Sequence, residues 1–172
     1  MSDPRPASSD DLFRRLVELG IVTQTVSHPP VFTVEDAKMH RGDIPGGHCK
    51  NLFLKDKAGQ LWLVVMLESG RLDMKSAQGR LGSARLSFAR PDLVRSVLGV
   101  EPGSVTPFVV LNGTAASVQV VLDAAMMRES QLNYHPLTNA ATTTIASADL
   151  LVFLRASGHN PRIVDFSPEA SV

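Results

Sequence analysis

The first candidate for chemistry in this 172-residue chain is the run Gly46-Gly47-His48-Cys49-Lys50-Asn51. Glycines let the backbone approach a ligand closely, and a lysine beside them is a compact positive charge suited to phosphate. The same residue types are equally typical of an ordinary surface lysine next to a turn. Lys50 is therefore a candidate anion-binding residue whose role this run alone does not decide.

Two further polar clusters stand in the second half of the chain. One is Glu101-Pro102-Gly103-Ser104-Val105-Thr106-Pro107, a loop that could offer fixed backbone N–H groups to an anion or a carbonyl, or could be a rigid connection. The other is Asn133-Tyr134-His135-Pro136-Leu137-Thr138-Asn139. There His135 could transfer a proton and Asn139 could fix a carbonyl group, although both residue types also commonly satisfy the backbone of a turn.

Cys49 is the only cysteine of the chain, and the neighbouring Lys50 could lower its pKa enough to make it a nucleophile. The alternative, which we favour, is a small apolar residue packed at the edge of a strand, because free cysteines are usually packing residues. If this stretch is a strand, Cys49 and Lys50 point to opposite faces of the sheet. Only one of them can then face a pocket.

Composition excludes several classes of protein. Seventeen basic and seventeen acidic residues give a formal net charge of zero, which disfavours capture of long DNA or RNA but allows contact with one end of a nucleic acid. The chain has a single cysteine, no signal-like N-terminus and no apolar run near the roughly 20 residues that span a bilayer. These features predict a cytoplasmic protein with no membrane role. The histidines are too scattered for a metal site, so no cofactor is predicted. They are His28, His40, His48, His135 and His159.

Helical periodicity and capping residues predict the helices. Ser9 can cap a helix that carries Leu12 and Leu16 and ends at Gly20. Thr33-Val34-Glu35-Asp36 is a capping box that opens a second, short helix. Further helices are expected at residues 72–81, 91–99 and 150–154.

Alternation and β-branched residues predict strands at residues 22–26, 50–54, 61–67, 85–88, 108–111, 118–122, 142–145 and 162–166. The second and third of these flank a turn, as in a hairpin, and Asn112-Gly113-Thr114 is expected to join 108–111 to 118–122 at the centre of the sheet. Hairpins mixed with helical crossovers indicate an α+β domain with a mixed, curled, barrel-like sheet flanked by helices. This single domain is expected at residues 9–168, after a flexible tail at 1–8.

The order and separation of the polar clusters resemble the YbaK/ProX family of prolyl-tRNA editing proteins and the related editing domain of bacterial prolyl-tRNA synthetases. The resemblance spans nearly the whole chain, and its most specific parts are the pair Lys50-Asn51 and the Gly-x-x-x-Pro loop at residues 103–107. The other matching segments are His28-Pro29, residues 33–37, residues 49–54, Asn133, His135-Pro136-Leu137, Asn139, Thr142-Thr143-Thr144 and residues 147–150.

The resemblance implies roles for some of the matching residues. Lys50 would hold the phosphate near the tRNA 3′ end, the backbone of residues 103–107 would face the aminoacyl ester, and His135 would line the same pocket. The predicted catalytic residues are Lys50, Asn51, Gly103 and His135. The predicted substrate-binding residues are Thr33, Ser104, Val105, Thr106, Pro107 and Asn139.

The resemblance also implies an aminoacyl-tRNA hydrolase that uses no metal ion and no covalent intermediate, with the neighbouring ribose hydroxyl assisting the attack of water. The expected substrate is Ala-tRNA(Pro), bound by its 3′ acceptor end. Prolyl-tRNA synthetase and an elongation factor are candidate protein partners, and the sequence does not decide whether the enzyme acts alone or docked to one of them. Hydrolysis of Cys-tRNA(Pro) and a non-catalytic adaptor that binds tRNA or another nucleic acid are the alternatives.

Overall fold

The computed structural model describes residues 5–30 and 44–167, and the strands within them form one mixed sheet. Their bounds are β1 Gln24–Ser27, β2 Gly47–Asp56, β3 Leu61–Leu67, β4 Leu86–Phe88, β5 Gln119–Asp123, β6 Gln131–Tyr134, β7 Ala141–Ala146 and β8 Arg162–Val164. The sheet order is β1-β7-β6-β2-β3-β5-β8, and β4 pairs with the C-terminal end of β2. The α+β domain with a mixed, curled sheet is confirmed, although the sheet does not close into a barrel.

Helices connect the strands at α1 Ser9–Glu18, α2 Met74–Leu81, α3 Pro91–Leu93, α4 Ala124–Met127 and α5 Ser147–Ala156. Ser8, rather than Ser9, caps α1: its hydroxyl accepts the Asp11 amide, and the Asp11 carboxylate accepts the Ser8 amide at 2.8 Å. α3 continues into a π-helical turn at Val94–Leu98. The helix expected to begin at Thr33 lies outside the described residues. No helix within the described ranges is long and apolar enough to cross a membrane.

The β2–β3 hairpin is the centre of the sheet, and both of its faces are covered. One face, with Phe53 and Val65, belongs to a main core that also contains the buried residues of α1 and α5. The other face, with Leu54 and Val64, belongs to a second, smaller core under α2. Because successive residues of a strand point to opposite faces, alternation along β2 decides which environment each side chain enters.

The strand expected at residues 108–111 is wrong. Pro107–Leu111 is a 3₁₀ helix, and its apolar residues are almost all buried in the main core. Pro107 has no N–H to give to a strand ladder, and the Thr106 hydroxyl accepts the Phe108 amide at 3.4 Å, which caps the start of a helix. An apolar run can be buried as a helical turn as well as a strand, and here the local caps decide between the two.

The turn expected at Asn112-Gly113-Thr114 is also wrong. The buried Asn112 side chain donates to the Leu98 carbonyl at 2.9 Å and accepts the Ala7 amide at 2.7 Å. It therefore joins three segments of chain instead of closing a hairpin, and Gly113–Ala115 is another 3₁₀ turn. The strand expected at 118–122 is β5, which lies between β3 and β8 rather than at the sheet centre.

Candidate active site

Alternation along β2 sends neighbouring residues of the predicted site to opposite faces of the sheet. Cys49 and Phe53 pack against the main core, whereas Leu52 packs against the second core. Asn51 therefore shares the face of Cys49 and Phe53, and Lys50 shares the face of Leu52. The Lys-Asn pair, which is adjacent in sequence, does not present both side chains to one surface of the strand.

Lys50 is half-buried, and its ammonium group donates a hydrogen bond to the Gly70 carbonyl in the turn after β3. The Glu68 amide of that turn donates to the His48 carbonyl at 2.8 Å, which ties the turn to β2. A carbonyl is neutral, so it orients the ammonium group without cancelling its charge. In the part of the chain that the structure describes, Lys50 forms no ion pair with an acidic side chain. Lys50 thus keeps the charge that a phosphate contact needs.

Asn51 has a buried side-chain oxygen without a hydrogen-bond donor. Within residues 5–30 and 44–167, no other buried side-chain nitrogen or oxygen lacks a partner. An unsatisfied buried acceptor costs about 1–3 kcal/mol of stability. A donor supplied by a ligand would remove that cost, and this is the feature that the predicted role of Asn51 requires. That role stays a prediction.

His135 follows β6 and shares a face of the sheet with Lys50. β6 runs parallel to β2 with Asn133 opposite His48, and His135 and Lys50 each come two residues after that pair. Residues two apart along an extended chain point to the same side. Tyr134 points the other way, into the main core. The sheet therefore brings Lys50 and His135 to corresponding positions on one face.

His135 is held by the backbone at the start of β7. Its Nδ1 lies 3.2 Å from the Ala141 carbonyl oxygen, which can only accept, so Nδ1 carries the proton of the neutral ring and Nε2 is an acceptor. Burial lowers the pKa of His135 from the usual 6.5; the Ala141 carbonyl opposes this shift and the nearby His28 adds to it. The ring is therefore mainly neutral at pH 7, with an acceptor nitrogen that could take a proton.

The loop at residues 101–107 combines a hydrogen-bonded turn with residues that pack on the core. Pro102–Ser104 is a 3₁₀ turn in which the Ser104 amide donates to the Glu101 carbonyl at 2.8 Å. Residues 104–107 are buried or half-buried, and Val105 packs against the main core. Gly103 is exposed to solvent while the residues that follow it are packed into the fold.

A cleft of about 820 Å³ lies between this loop and the segment after His135. Gly103 and Ser104 line it together with Leu137, Thr138 and Asn139, so the fold brings the predicted pair Gly103 and Ser104 together with the predicted residue Asn139 from a distant segment. The predicted residues that do not line this cleft are Lys50, Asn51, Val105, Thr106, Pro107 and His135. Thr33 lies outside the described residues. Residues 135–139 connect the cleft to the sheet face that carries Lys50.

Asn133 positions this region, a role that its match to the family did not specify. Its buried side chain donates to the carbonyls of Pro45 at 3.0 Å and Gly47 at 3.3 Å, and it accepts the Thr144 hydroxyl at 2.6 Å. The glycine run before Lys50 is thereby fixed to β6 and β7. Pro45 is 88 positions away from Asn133, and only the tertiary fold could indicate the contact.

Leu137 also shapes the site without a signal in the sequence. Its backbone is left-handed, with φ of 66°, a conformation that residues with a side chain rarely adopt. Its amide donates to the His135 carbonyl at 3.0 Å, which tightens the turn around Pro136. The turn directs the chain from His135 to the wall of the cleft. A glycine would have indicated a left-handed position here, but a leucine does not.

The described residues contain neither an activated thiol nor a cluster of metal ligands. Burial raises the pKa of Cys49 to about 12, and hydrogen bonds from the Tyr134 hydroxyl and the Asn133 backbone oppose that rise only in part. Because the thiolate is the nucleophile, a thiol that stays protonated is inert, which supports a packing role for Cys49. No three His, Cys, Asp or Glu side chains of the described ranges form a group that could hold a metal ion.

Known proteins are similar in sequence to this chain over most of its length. Residues 28–153 match the family model of the aminoacyl-tRNA editing domain. A mouse protein, prolyl-tRNA synthetase associated domain-containing protein 1, is 37% identical over 161 residues, which cover 91% of this chain and 95% of that protein. The prolyl-tRNA editing protein ProX of Acetoanaerobium sticklandii is 36% identical over 154 residues, which cover 88% of this chain and 93% of that protein.

The fold is shared as well. A crystal structure of a protein proposed to be a trans-editing enzyme for prolyl-tRNA synthetase has a TM-score of 0.69 and 21% sequence identity, with 94% of this chain and 99% of that chain covered. At this identity the likeness demonstrates a common architecture alone. The family match, in contrast, spans the segments that carry Lys50, Gly103 and His135. The chain belongs to the aminoacyl-tRNA editing domain family.

Proposed function

We propose that this protein is a trans-editing hydrolase that releases alanine from mischarged Ala-tRNA(Pro). Similarity to the Acetoanaerobium sticklandii protein, whose name describes prolyl-tRNA editing, supports a prolyl-tRNA substrate. A synthetase site built for proline rejects alanine only weakly, because missing methylene groups are worth about 1–3 kcal/mol. A second site that hydrolyses the wrong product supplies the missing selectivity.

The observation that carries the proposal is the cleft between residues 103–104 and residues 137–139, the segment that directly follows His135 on the sheet face of Lys50. Its volume of about 820 Å³ is far larger than an alanyl group and is typical of sites that enclose a whole small ligand. The terminal adenosine with its amino acid is a ligand of that size. Gly103, without a side chain, lets the ester approach the loop backbone.

In the proposed reaction, the oxygen of a water molecule bonds to the ester carbonyl carbon. The bond from that carbon to the ribose 3′ oxygen then breaks, and the proton that the water loses passes by way of the 2′-hydroxyl to the 3′ oxygen. The ribose 2′-hydroxyl assists the attack, and backbone N–H groups of the Gly103 loop stabilise the developing charge. His135 Nε2 accepts a hydrogen bond from the 2′-hydroxyl or the water, while Lys50 pairs with the terminal phosphate. No metal ion takes part.

A local basic surface supports an RNA substrate, although the chain is neutral overall. Lys55, Lys57 and Arg85 are exposed at the β2–β4 edge, where the Lys57 amide donates to the Arg85 carbonyl at 3.0 Å. Phe88, on the same edge, is 65% exposed. Cations bind phosphates, and an exposed ring can stack on a base. Lys55 comes five residues after Lys50 in β2, so it lies on the opposite face of the strand, and this basic edge is a second surface separate from the Lys50 face.

Single-turnover release of amino acid from tRNA(Pro) charged with alanine, cysteine or proline tests the proposal. We expect alanine to be released fastest, proline to be retained, and the rate to be the same in the presence of a metal chelator. Faster release of cysteine would assign the alternative specificity. Binding of all three substrates without release would indicate a non-catalytic adaptor, and activity lost in chelator but restored by zinc would overturn the metal-free mechanism.

A further inference from the structure

His28 fastens the end of β1 to the first residues of β7. Its backbone amide donates to the Ala140 carbonyl at 2.9 Å, and its ring Nε2 lies 2.9 Å from the Thr142 hydroxyl oxygen. The other ring nitrogen, Nδ1, lies 2.9 Å from the Pro29 carbonyl oxygen. His28 therefore holds two residues of the β7 segment, one through its backbone and one through its side chain.

The residue between these two anchored positions is Ala141, whose carbonyl accepts the hydrogen bond from His135. That carbonyl belongs to the planar peptide group that joins Ala141 to Thr142, so holding the chain on both sides fixes its direction. β1 is an edge strand, and all four of its residues are exposed, whereas His28 immediately after it is half-buried. The ring of His28 is thus well placed to steady the start of β7.

These contacts set one tautomer on each ring. The Pro29 carbonyl can only accept, so Nδ1 of a neutral His28 carries the proton and Nε2 accepts the Thr142 hydroxyl. The Ala141 carbonyl imposes the same arrangement on His135, which leaves Nε2 as the acceptor. If that carbonyl turned away, His135 could adopt the other tautomer, in which Nε2 carries the proton and cannot accept one.

We propose that His28 is a positioning residue for the editing reaction. By holding Ala140 and Thr142, it directs the Ala141 carbonyl at His135 and keeps Nε2 of His135 as a proton acceptor. This inference rests on the proposed function, in which that nitrogen faces the terminal ribose or the attacking water. His28 acts through His135 and does not itself contact the reacting atoms.

Nitrogen-15 NMR of the imidazole rings tests this effect without any substrate. In the native protein we expect the His135 Nε2 resonance of an unprotonated nitrogen and the Nδ1 resonance of a protonated one. His28→Ala should shift both resonances toward the average of two exchanging tautomers. His28→Gln, whose side-chain oxygen can accept the Thr142 hydroxyl, should largely restore them. Ser27→Ala, an exposed neighbour on β1, is the matched control and should leave them unchanged.

Single-turnover deacylation of Ala-tRNA(Pro) tests the consequence for catalysis. A misplacement of about 1 Å can cost on the order of 100-fold in rate, so we expect His28→Ala to slow the chemical step on the order of 10-fold or more. His28→Gln should recover most of the rate. Binding of uncharged tRNA(Pro) should be unchanged, because the proposal gives His28 no contact with the RNA. Thr142→Val replaces the hydroxyl with a methyl group and should slow the reaction similarly. This variant remains informative if His28→Ala fails to fold.

Each outcome decides the proposal. Unchanged His135 resonances in both His28→Ala and Thr142→Val would overturn it, whatever the rate. A changed tautomer with the full rate would also overturn it, because His135 would then not need the support. If the native protein releases no amino acid from any charged tRNA(Pro), the proposed function fails. The NMR comparison would still show whether His28 sets the tautomer of His135.

Discussion

The two faces of β2 give adjacent residues opposite chemical properties. On one face the Lys50 ammonium group contacts a neutral carbonyl and shares the surface with His135 of the neighbouring segment. On the other face Cys49 packs against the main core, where burial raises the pKa of its thiol to about 12, and the buried side-chain oxygen of Asn51 has no donor. The position of a residue in the pleat, more than its type, determines what it can do here.

The difference between the faces also separates two kinds of contribution. A charge held by a neutral partner is ready for an anionic ligand and costs the fold little while it remains partly solvated. An unsatisfied amide in the core lowers stability until something binds it. A change at Lys50 should therefore act mainly on substrate contact, whereas a change at Cys49 or Asn51 should also change the stability of the fold.

Lys50→Ala is expected to give the largest effect. It removes the charge proposed to place the terminal phosphate, and misplacement of the ester by about 1 Å can cost on the order of 100-fold in single-turnover deacylation. Lys75→Ala, an exposed lysine on α2, is the control and should retain the native rate. A Lys50→Ala variant that folds normally and keeps a near-native rate would break the proposed difference between the two faces.

The pH dependence of the reaction depends on His135. Because burial lowers its pKa below the usual 6.5, kcat/KM should be level above that lowered pKa and fall about tenfold per pH unit below it, as Nε2 becomes protonated. His135→Gln should flatten this part of the profile. A rate that rises as the pH falls would contradict the role of Nε2 as an acceptor.

The same shift predicts the sign of a stability change. The unfolded chain binds this proton more readily than the folded protein, so the contribution of His135 to stability is complete above a pH of about 6.5. It is lost as the pH falls from there through the lowered pKa. Urea unfolding from pH 8 down to pH 5 should show this loss, and it should be smaller in His135→Gln.

Asn51→Leu sharpens the comparison, because it should change activity and stability in opposite directions. Removing an acceptor that has no donor should raise the free energy of unfolding by about 1 kcal/mol, while loss of the predicted site residue should slow deacylation. Asn133→Leu is the matched control: its amide is fully bonded, so this variant should lose about 2 kcal/mol or more. Destabilisation of Asn51→Leu would indicate that the Asn51 amide has a partner in the folded protein.

Much of the fold could be predicted because its central hairpin follows local rules. β3 was predicted with its observed bounds, Leu61–Leu67, since a short apolar run next to a glycine turn leaves few alternatives. The run at residues 108–111 has the same residue types but is a 3₁₀ helix, since Thr106 and Pro107 act on its first residue. A one-residue cap outweighs strand propensity there, and such competition is hard to judge without the tertiary context.

The site was less predictable than the fold. Alternation alone predicted that Cys49 and Lys50 face opposite sides, and the packing of β2 confirms it. The cleft between Gly103 and Asn139 requires two distant segments to meet, and the left-handed backbone of Leu137 is invisible in its residue type. The resemblance to a family indicated Gly103 and Asn139 as parts of one site. Their separation in the sequence does not by itself show that the two segments meet.

The smallest effect is expected for Cys49→Ala, which tests the core side of β2. Cys49 is half-buried, and desolvation raises the pKa of its thiol to about 12, so the thiol stays protonated at pH 8. Cys49→Ala should therefore deacylate Ala-tRNA(Pro) at close to the native rate and lose only about 1 kcal/mol of stability, from the packing that the sulfur provided. Iodoacetamide should modify the native protein very slowly and the urea-unfolded chain rapidly.

If Cys49→Ala is inactive while Lys50→Ala is active, and alkylation of the folded protein abolishes deacylation, then the thiol is the nucleophile and the assignment of the two faces is reversed. Rapid alkylation that leaves the activity intact would show instead that the main core opens at this strand, a different failure from a mistaken catalytic role.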